Sequence, residues 1–124
     1  MTIFVTKTAN TVDVGIDNMI AAANADYDNF IPASRNAEMN EEFHNGWRIK
    51  EGSKYIWIGT RNSAWGFVVN TDNDKKFKKG DILKCAGYKA PARNAARGNV
   101  LEGNYPINWT GPLYLHNLKI LRLL

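Results

Sequence analysis

The hydrophobic period of this chain changes at Gly46, from helical spacing before it to alternation after it. One kind of element cannot satisfy both patterns, because side chains at i and i+4 share a helix face while those at i and i+2 share a strand face. Before the change, Ile16, Met19, Ile20, Ala23, Tyr27 and Phe30 fall at helical spacing, with Asp17 placed to cap and Pro32 to stop the pattern. A second helix is expected from Ser34 through Glu38, Glu41 and Glu42 to Phe43, stopped by Gly46 and mostly polar, hence on the surface. After the change, residues 47–50, 54–59, 64–70 and 81–86 read as strands with short polar connections. The expected fold is α+β, an N-terminal helical segment packed on an antiparallel meander of three to five strands.

With 124 residues the chain can close one core, so residues 1–124 are expected to form a single domain. No stretch approaches the roughly 18 consecutive apolar residues of a membrane helix. Met1–Val5 lacks the charged n-region and cleavage site of a signal peptide, so a cytoplasmic protein without membrane contact is expected. Cys85 is the single cysteine; it excludes an internal disulfide and is expected to act as a small buried hydrophobe.

Charge divides at the same place as the period. Residues 1–46 carry seven acidic and two basic side chains, whereas residues 47–124 carry fourteen basic and five acidic ones. An acidic, largely helical part beside a basic, β-rich part is the pattern of a protein that meets a polyanion on one side.

Catalytic constellations are absent from the sequence. His44 and His116 have no Cys, His or paired carboxylate at ligand spacing, and Lys79-Gly80-Asp81 lacks the rest of a phosphate-binding P-loop. Glu38, Glu41 and Glu42 read as a solvated helix face. The expectation is a binding protein, not an enzyme, with no cofactor and no metal.

The basic run is the candidate site. Lys75, Lys76, Lys78, Lys79, Lys84, Lys89, Arg93 and Arg97 lie within 23 positions in which Asp81 is the single acid. Lysines and arginines at that density attract phosphates, and each phosphate neutralised releases counterions whatever the base sequence. The bland alternative is a solvated loop. Aromatic residues separate nucleic acid from other polyanions: Tyr55 and Trp57 alternate with Ile56 and Ile58, and on the next strand Trp65 and Phe67 share a face opposite Val68. Paired through residues 60–63, these four rings would share a face bordered by Lys50, Arg61 and Lys84, and Tyr88 follows nearby. Tyr55, Trp57, Trp65 and Tyr88 are the candidate base stackers, a contact worth roughly 1 to 3 kcal/mol per base. The competing reading puts half of the aromatics in the core. Around Arg93 and Arg97 the residues are small, and a helical turn there would set both guanidiniums on one side, close to a phosphate backbone.

Gly80-Asp81-Ile82-Leu83-Lys84, Lys89-Ala90-Pro91-Ala92-Arg93-Asn94 and Ala96-Arg97-Gly98-Asn99, after the Lys54-Tyr55-Ile56 strand, resemble a signature of small tailed-bacteriophage proteins. In size and character the chain is similar to the Drc group, single-stranded-DNA-binding cofactors of phage RNA polymerase. The resemblance implies sequence-tolerant binding of single-stranded DNA, a phage RNA polymerase as partner, and a role in phage transcription in the host cytoplasm. The rival expectation is a phage interaction protein that modulates a host or viral enzyme without touching nucleic acid, for which an acidic helix and an apolar tail also serve. That tail, Leu118–Leu124, is expected to be buried or to pair with a second chain, which would give a homo-oligomer.

Overall fold

The computed structural model describes residues 3–30, 33–61 and 63–118. In chain order it contains β1 (Ile3–Val5), α1 (Val12–Phe30), α2 (Ala33–Asn45), β2 (Trp47–Glu51), β3 (Tyr55–Thr60), β4 (Ser63–Val69), β5 (Ile82–Leu83), β6 (Cys85–Gly87), β7 (Ala90–Pro91), β8 (Tyr105–Asn108) and β9 (Gly111–Pro112). Two helices near the N-terminus and antiparallel sheets built, apart from β1, from the chain after them make this an α+β fold, with the change of element at Gly46 where the period changes.

Helix α1 begins earlier than its expected cap. Thr11 stands at the N-terminus, its Oγ1 accepting from Val14 N at 3.2 Å. Asp17 is an exposed residue of the second turn. Val12, Gly15, Ile16, Met19, Ala23 and Tyr27 form the buried stripe at three- and four-residue steps. Gly15 is required by close approach, since a Cβ there would sit 2.5 Å from Val100 O. Helix α2 is joined to this stripe through Phe43, which stacks on Tyr27 at 4.1 Å and nearly parallel, while Trp109 meets Tyr27 edge-on at 5.1 Å. Its Glu38, Glu41 and Glu42 are exposed, as a polar surface helix requires.

The larger sheet has the order β2-β3-β4-β5, the first three joined by hairpins as a meander. Two further antiparallel sheets, β1-β8-β9 and the small β6-β7 hairpin, complete the strands among the described residues. Strand β1 thus finds its partner about a hundred residues away, with Ile3 opposite Ile107 and Val5 opposite Tyr105.

Strands β3 and β4 are buried on both faces. On one side Ile56, Ile58, Trp65 and Val68 pack with Ile16, Met19 and Ala23 of α1 and with Val5, Tyr105 and Ile107 of the β1-β8-β9 sheet. On the other, Trp57, Phe67, Val69 and Leu83 are covered by Phe77 from the 70–81 connection. A sheet covered twice loses the apolar-in, polar-out alternation, which is why both parities of these strands are hydrophobic in the sequence.

The basic loop is pinned to the core by buried polar residues. Asn99 Nδ2 donates to Asp81 Oδ1 at 2.9 Å and to Lys79 O at 3.0 Å, and Asn99 Oδ1 accepts from Leu101 N and Glu102 N at 2.8 and 3.1 Å. Asp81 Oδ2 accepts from Lys78 N at 2.9 Å. Much of the Gly80–Asn99 block is therefore used to join the 70–81 loop to the chain that follows. Leu118 is buried, and the remainder of the tail on which burial or pairing was expected lies outside the described residues.

Candidate nucleic-acid interface

The β2-β3 hairpin sets the first ring under a cation. Gly52 N donates to Tyr55 O at 2.9 Å, which closes the turn and fixes Lys50 opposite Trp57. Cross-strand partners share a face, so Lys50 Nζ stands 5.2 Å from the Trp57 ring centroid. Lys54 Nζ lies 5.5 Å from the ring of Tyr55 on the same strand. Gly59 is small because the Trp57 indole lies across it: a Cβ at Gly59 would be 2.1 Å from Trp57 Cη2.

The β6-β7 hairpin brings in the third ring. Trp57 Nε1 donates to Tyr88 O at 2.8 Å, and the two rings sit 5.4 Å apart at 53°. Tyr88 is 49% exposed, Tyr55 half-buried, and Trp57 only 8% exposed. Together they line a groove of about 520 Å³ with Phe67 at its floor, Lys50, Lys54 and Lys89 around it, and Glu51 as the acid at its edge. The groove offers exposed ring surface at Tyr88 and Tyr55, with Trp57 as its supporting wall.

Trp65, the fourth expected stacker, is elsewhere. Ile58 pairs with Gly66 and Gly59 with Ala64, so a bulge leaves Trp65 as the extra residue of β4. The bulge reverses the alternation: Phe67 keeps company with Trp57, while Trp65 turns to the opposite face. It is 4% exposed there, packs edge-on against Trp47 at 5.4 Å, and donates from Nε1 to Trp109 O at 2.8 Å. The expectation that Tyr55, Trp57, Trp65 and Phe67 share one face is corrected to three of the four.

The two arginines also differ from expectation. No helical turn forms around them; the chain after β7 is irregular. Arg97 is 5% exposed, and its guanidinium donates to Leu113 O at 2.8 Å, Asn94 Oδ1 at 2.8 Å and Ala95 O at 3.1 Å. It is a structural cation that satisfies carbonyls of the chain's own later segment, and its burial corrects the assignment to phosphate. Arg93 is exposed, yet it makes two parallel bonds to Asp74, each 3.0 Å, and a further bond to Tyr55 Oη. Arg93 and the N–H groups of Lys76 and Phe77 hold the Asp74 carboxyl well below the usual range, and Asp74 in turn raises Arg93.

The lysines divide into three groups. Lys89 borders the aromatic groove and Lys75 the recess beside it. Lys76 donates to Arg93 O at 2.7 Å, and Lys78 pairs with Glu102 at 2.6 Å, which raises its pKa; Lys79 is exposed on the same loop. Lys84 points away to Pro112 O at 2.7 Å, 4.2 Å from the Tyr114 ring, and burial followed by the Arg97 charge lowers its pKa. Arg61, expected beside the rings, pairs with Glu42 of α2 at the far end of the hairpin. Cys85 is half-buried and burial pushes its thiol up, which fits an inert small hydrophobe.

Lys54 and Lys50 are the groove residues that sequence reasoning missed or used merely as a border. Counting back from the Glu51-Gly52-Ser53 turn finds Lys50 opposite Trp57. Nothing comparable announced Lys54, whose carbonyl accepts from Asn70 N at 2.9 Å just past the end of β4.

No helix of the described residues is long and apolar enough to cross a membrane. No protein-family model, curated protein or solved structure matches the chain.

Proposed function

We propose that this is a binding protein, not an enzyme, and that it takes up single-stranded DNA in the groove between the β2-β3 and β6-β7 hairpins. Bases stack on Tyr88 and Tyr55, and phosphates meet Lys50, Lys54 and Lys89. The observation that carries the reading is the convergence of four rings and three lysines, from elements far apart in sequence, on one open groove. Exposed rings act on any base, so the binding is sequence-tolerant and favours strands that are already unpaired.

The reading extends to transcription, with a phage RNA polymerase as the partner brought to the bound strand. That partner comes from the resemblance to the phage cofactors; the structure adds a surface apart from the groove, where Glu38 and Glu41 lie with the Glu42–Arg61 pair at the turn end of the β3-β4 hairpin. Lys54 stands just beyond the other end of β3, seven residues or about 23 Å of extended chain from Arg61. Protein and strand would then meet different ends of the molecule.

The test is a titration of fluorescent oligothymidylate at two salt concentrations with the native chain and with Tyr88→Ala. Binding that weakens with salt and with loss of the ring supports the proposal. Absence of binding at low salt, or an unchanged affinity in the variant, overturns it.

A further inference from the structure

Beside the aromatic groove lies a second recess, of about 510 Å³, which shares Lys54 with it. Its chemistry is different. No aromatic ring lines it; its walls are Ser53, Lys54, Thr71, Asn73, Lys75 and the Arg93–Asp74 pair. We infer that this recess is a phosphodiester subsite, which holds the backbone of the nucleotides next to those stacked on Tyr55 and Tyr88. The inference rests on the proposed reading of the groove and gives the strand a direction across the protein.

The electrostatics of the recess are set by Asp74. Its side chain is 1% exposed, and its two oxygens accept from Arg93, Lys76 N and Phe77 N. The bidentate pairing with Arg93 offsets the Asp74 charge, so the pair is close to neutral toward a phosphate, while the Arg93 side chain stays 39% exposed. Lys54 and Lys75, both exposed, give the recess its two uncompensated positive charges at the rim. Asp72 is exposed on the same loop but does not line the recess. Ser53 and Thr71 supply hydroxyls and Asn73 an amide, uncharged donors of the kind that position a phosphate without reading a base. The Thr71 hydroxyl oxygen accepts from Asn73 N at 3.1 Å, so its hydrogen can be donated outward.

The shared lysine makes the two compartments one path. A strand with bases in the groove has its backbone at Lys54, and the next phosphates run toward Lys75, away from Lys89. A dinucleotide fills the groove alone, whereas a longer strand reaches the recess.

The experiment is a length series of oligothymidylates with unphosphorylated ends, from two to eight nucleotides. It is titrated against the native chain, Lys75→Gln and Tyr88→Ala, with a melting curve for each. The native chain gains affinity with length. Lys75→Gln binds the dinucleotide normally but loses up to about fivefold on longer strands, the size of an exposed ion pair. Its log-log salt slope on them is shallower by about 0.7. An equal loss at every length would mean a general field and no subsite, and no loss at any length would mean that the strand does not pass here; either overturns the inference. In both cases Tyr88→Ala reports separately on the groove, so failure of the recess and failure of the proposed function are distinguishable.

Discussion

Arg93 and Asp74 meet through two parallel hydrogen bonds of 3.0 Å each, which tie the 70–81 loop to the chain beyond β7, and the Nη1 that donates to Asp74 also donates to Tyr55 Oη. One ion pair thus joins Tyr55, in the aromatic groove, to the lining of the recess. The carboxyl of Asp74 is depressed by its bonds from its ordinary value of 3.8. A folded-state pKa below the unfolded one means that the unfolded chain takes up the proton first on acidification. The pair's stabilisation is complete above the ordinary carboxylate range and is lost as pH falls through and below it. The melting temperature of the native chain should therefore approach that of Asp74→Asn as the pH is taken from 7 toward 2. A gap between the two that stays constant would show that the ion pair contributes nothing to stability.

Trp57 and Tyr88 share a hydrogen bond but should respond differently to truncation. Tyr88 is about half exposed, so Tyr88→Ala should cost roughly 1 to 3 kcal/mol of binding and leave the melting temperature nearly unchanged. Trp57 is 8% exposed and packed with Phe67, Val69, Phe77 and Leu83, so Trp57→Ala should cost about 3 to 5 kcal/mol of stability. Chemical denaturation and oligonucleotide titration of both variants check the pair. A stable Trp57→Ala would move that ring from the core to the surface.

The elements were legible where a single face is buried and obscure where contacts are distant. The stripe from Ile16 to Tyr27 announced α1, but Thr11 and Val12 did not, because Asp17 offered an equally good local cap. The β2, β3 and β4 meander followed from alternation and short connections. Strand β8 was hidden, since Pro106 lacks the N–H a ladder uses and the partner at Phe4 lies at the other end of the chain. The site was half legible. Tyr55 and Trp57 shared a face by parity alone, whereas Trp65 left it through a one-residue bulge that no residue in the turn foretells. Charge density found the basic segment but could not tell Lys75 and Lys89, on the rims of the two cavities, from Arg97, whose charge is consumed by carbonyls of residues 95 and 113.

Arg97 gives the contrast to the groove lysines. Arg97→Ala would leave Leu113 O without its buried donor and should destabilise the fold by about 1 to 3 kcal/mol. Folded Arg97→Ala should bind DNA as the native chain does. A loss of affinity without loss of stability would return Arg97 to the phosphate-binding set.

Salt dependence separates the lysines that line the groove from those that merely stand on a basic loop. Lys50 and Lys89 border the rings, whereas Lys78 is paired with Glu102 at 2.6 Å. On a single strand each phosphate contact contributes about −0.7 to the slope of log affinity against log salt. Lys50→Gln with Lys89→Gln should therefore flatten the slope by about 1.4 and weaken binding most at low salt, while Lys78→Gln should leave the slope within error of the native one. Single-stranded DNA should also bind more tightly than duplex of equal length, because Tyr55 and Tyr88 can stack only on bases that are already unpaired. Should Lys78→Gln flatten the slope as much as the groove pair, the binding would follow total charge and not position. Equal affinity for duplex would remove the rings from the account, and the groove would then be a bystander to a general basic surface.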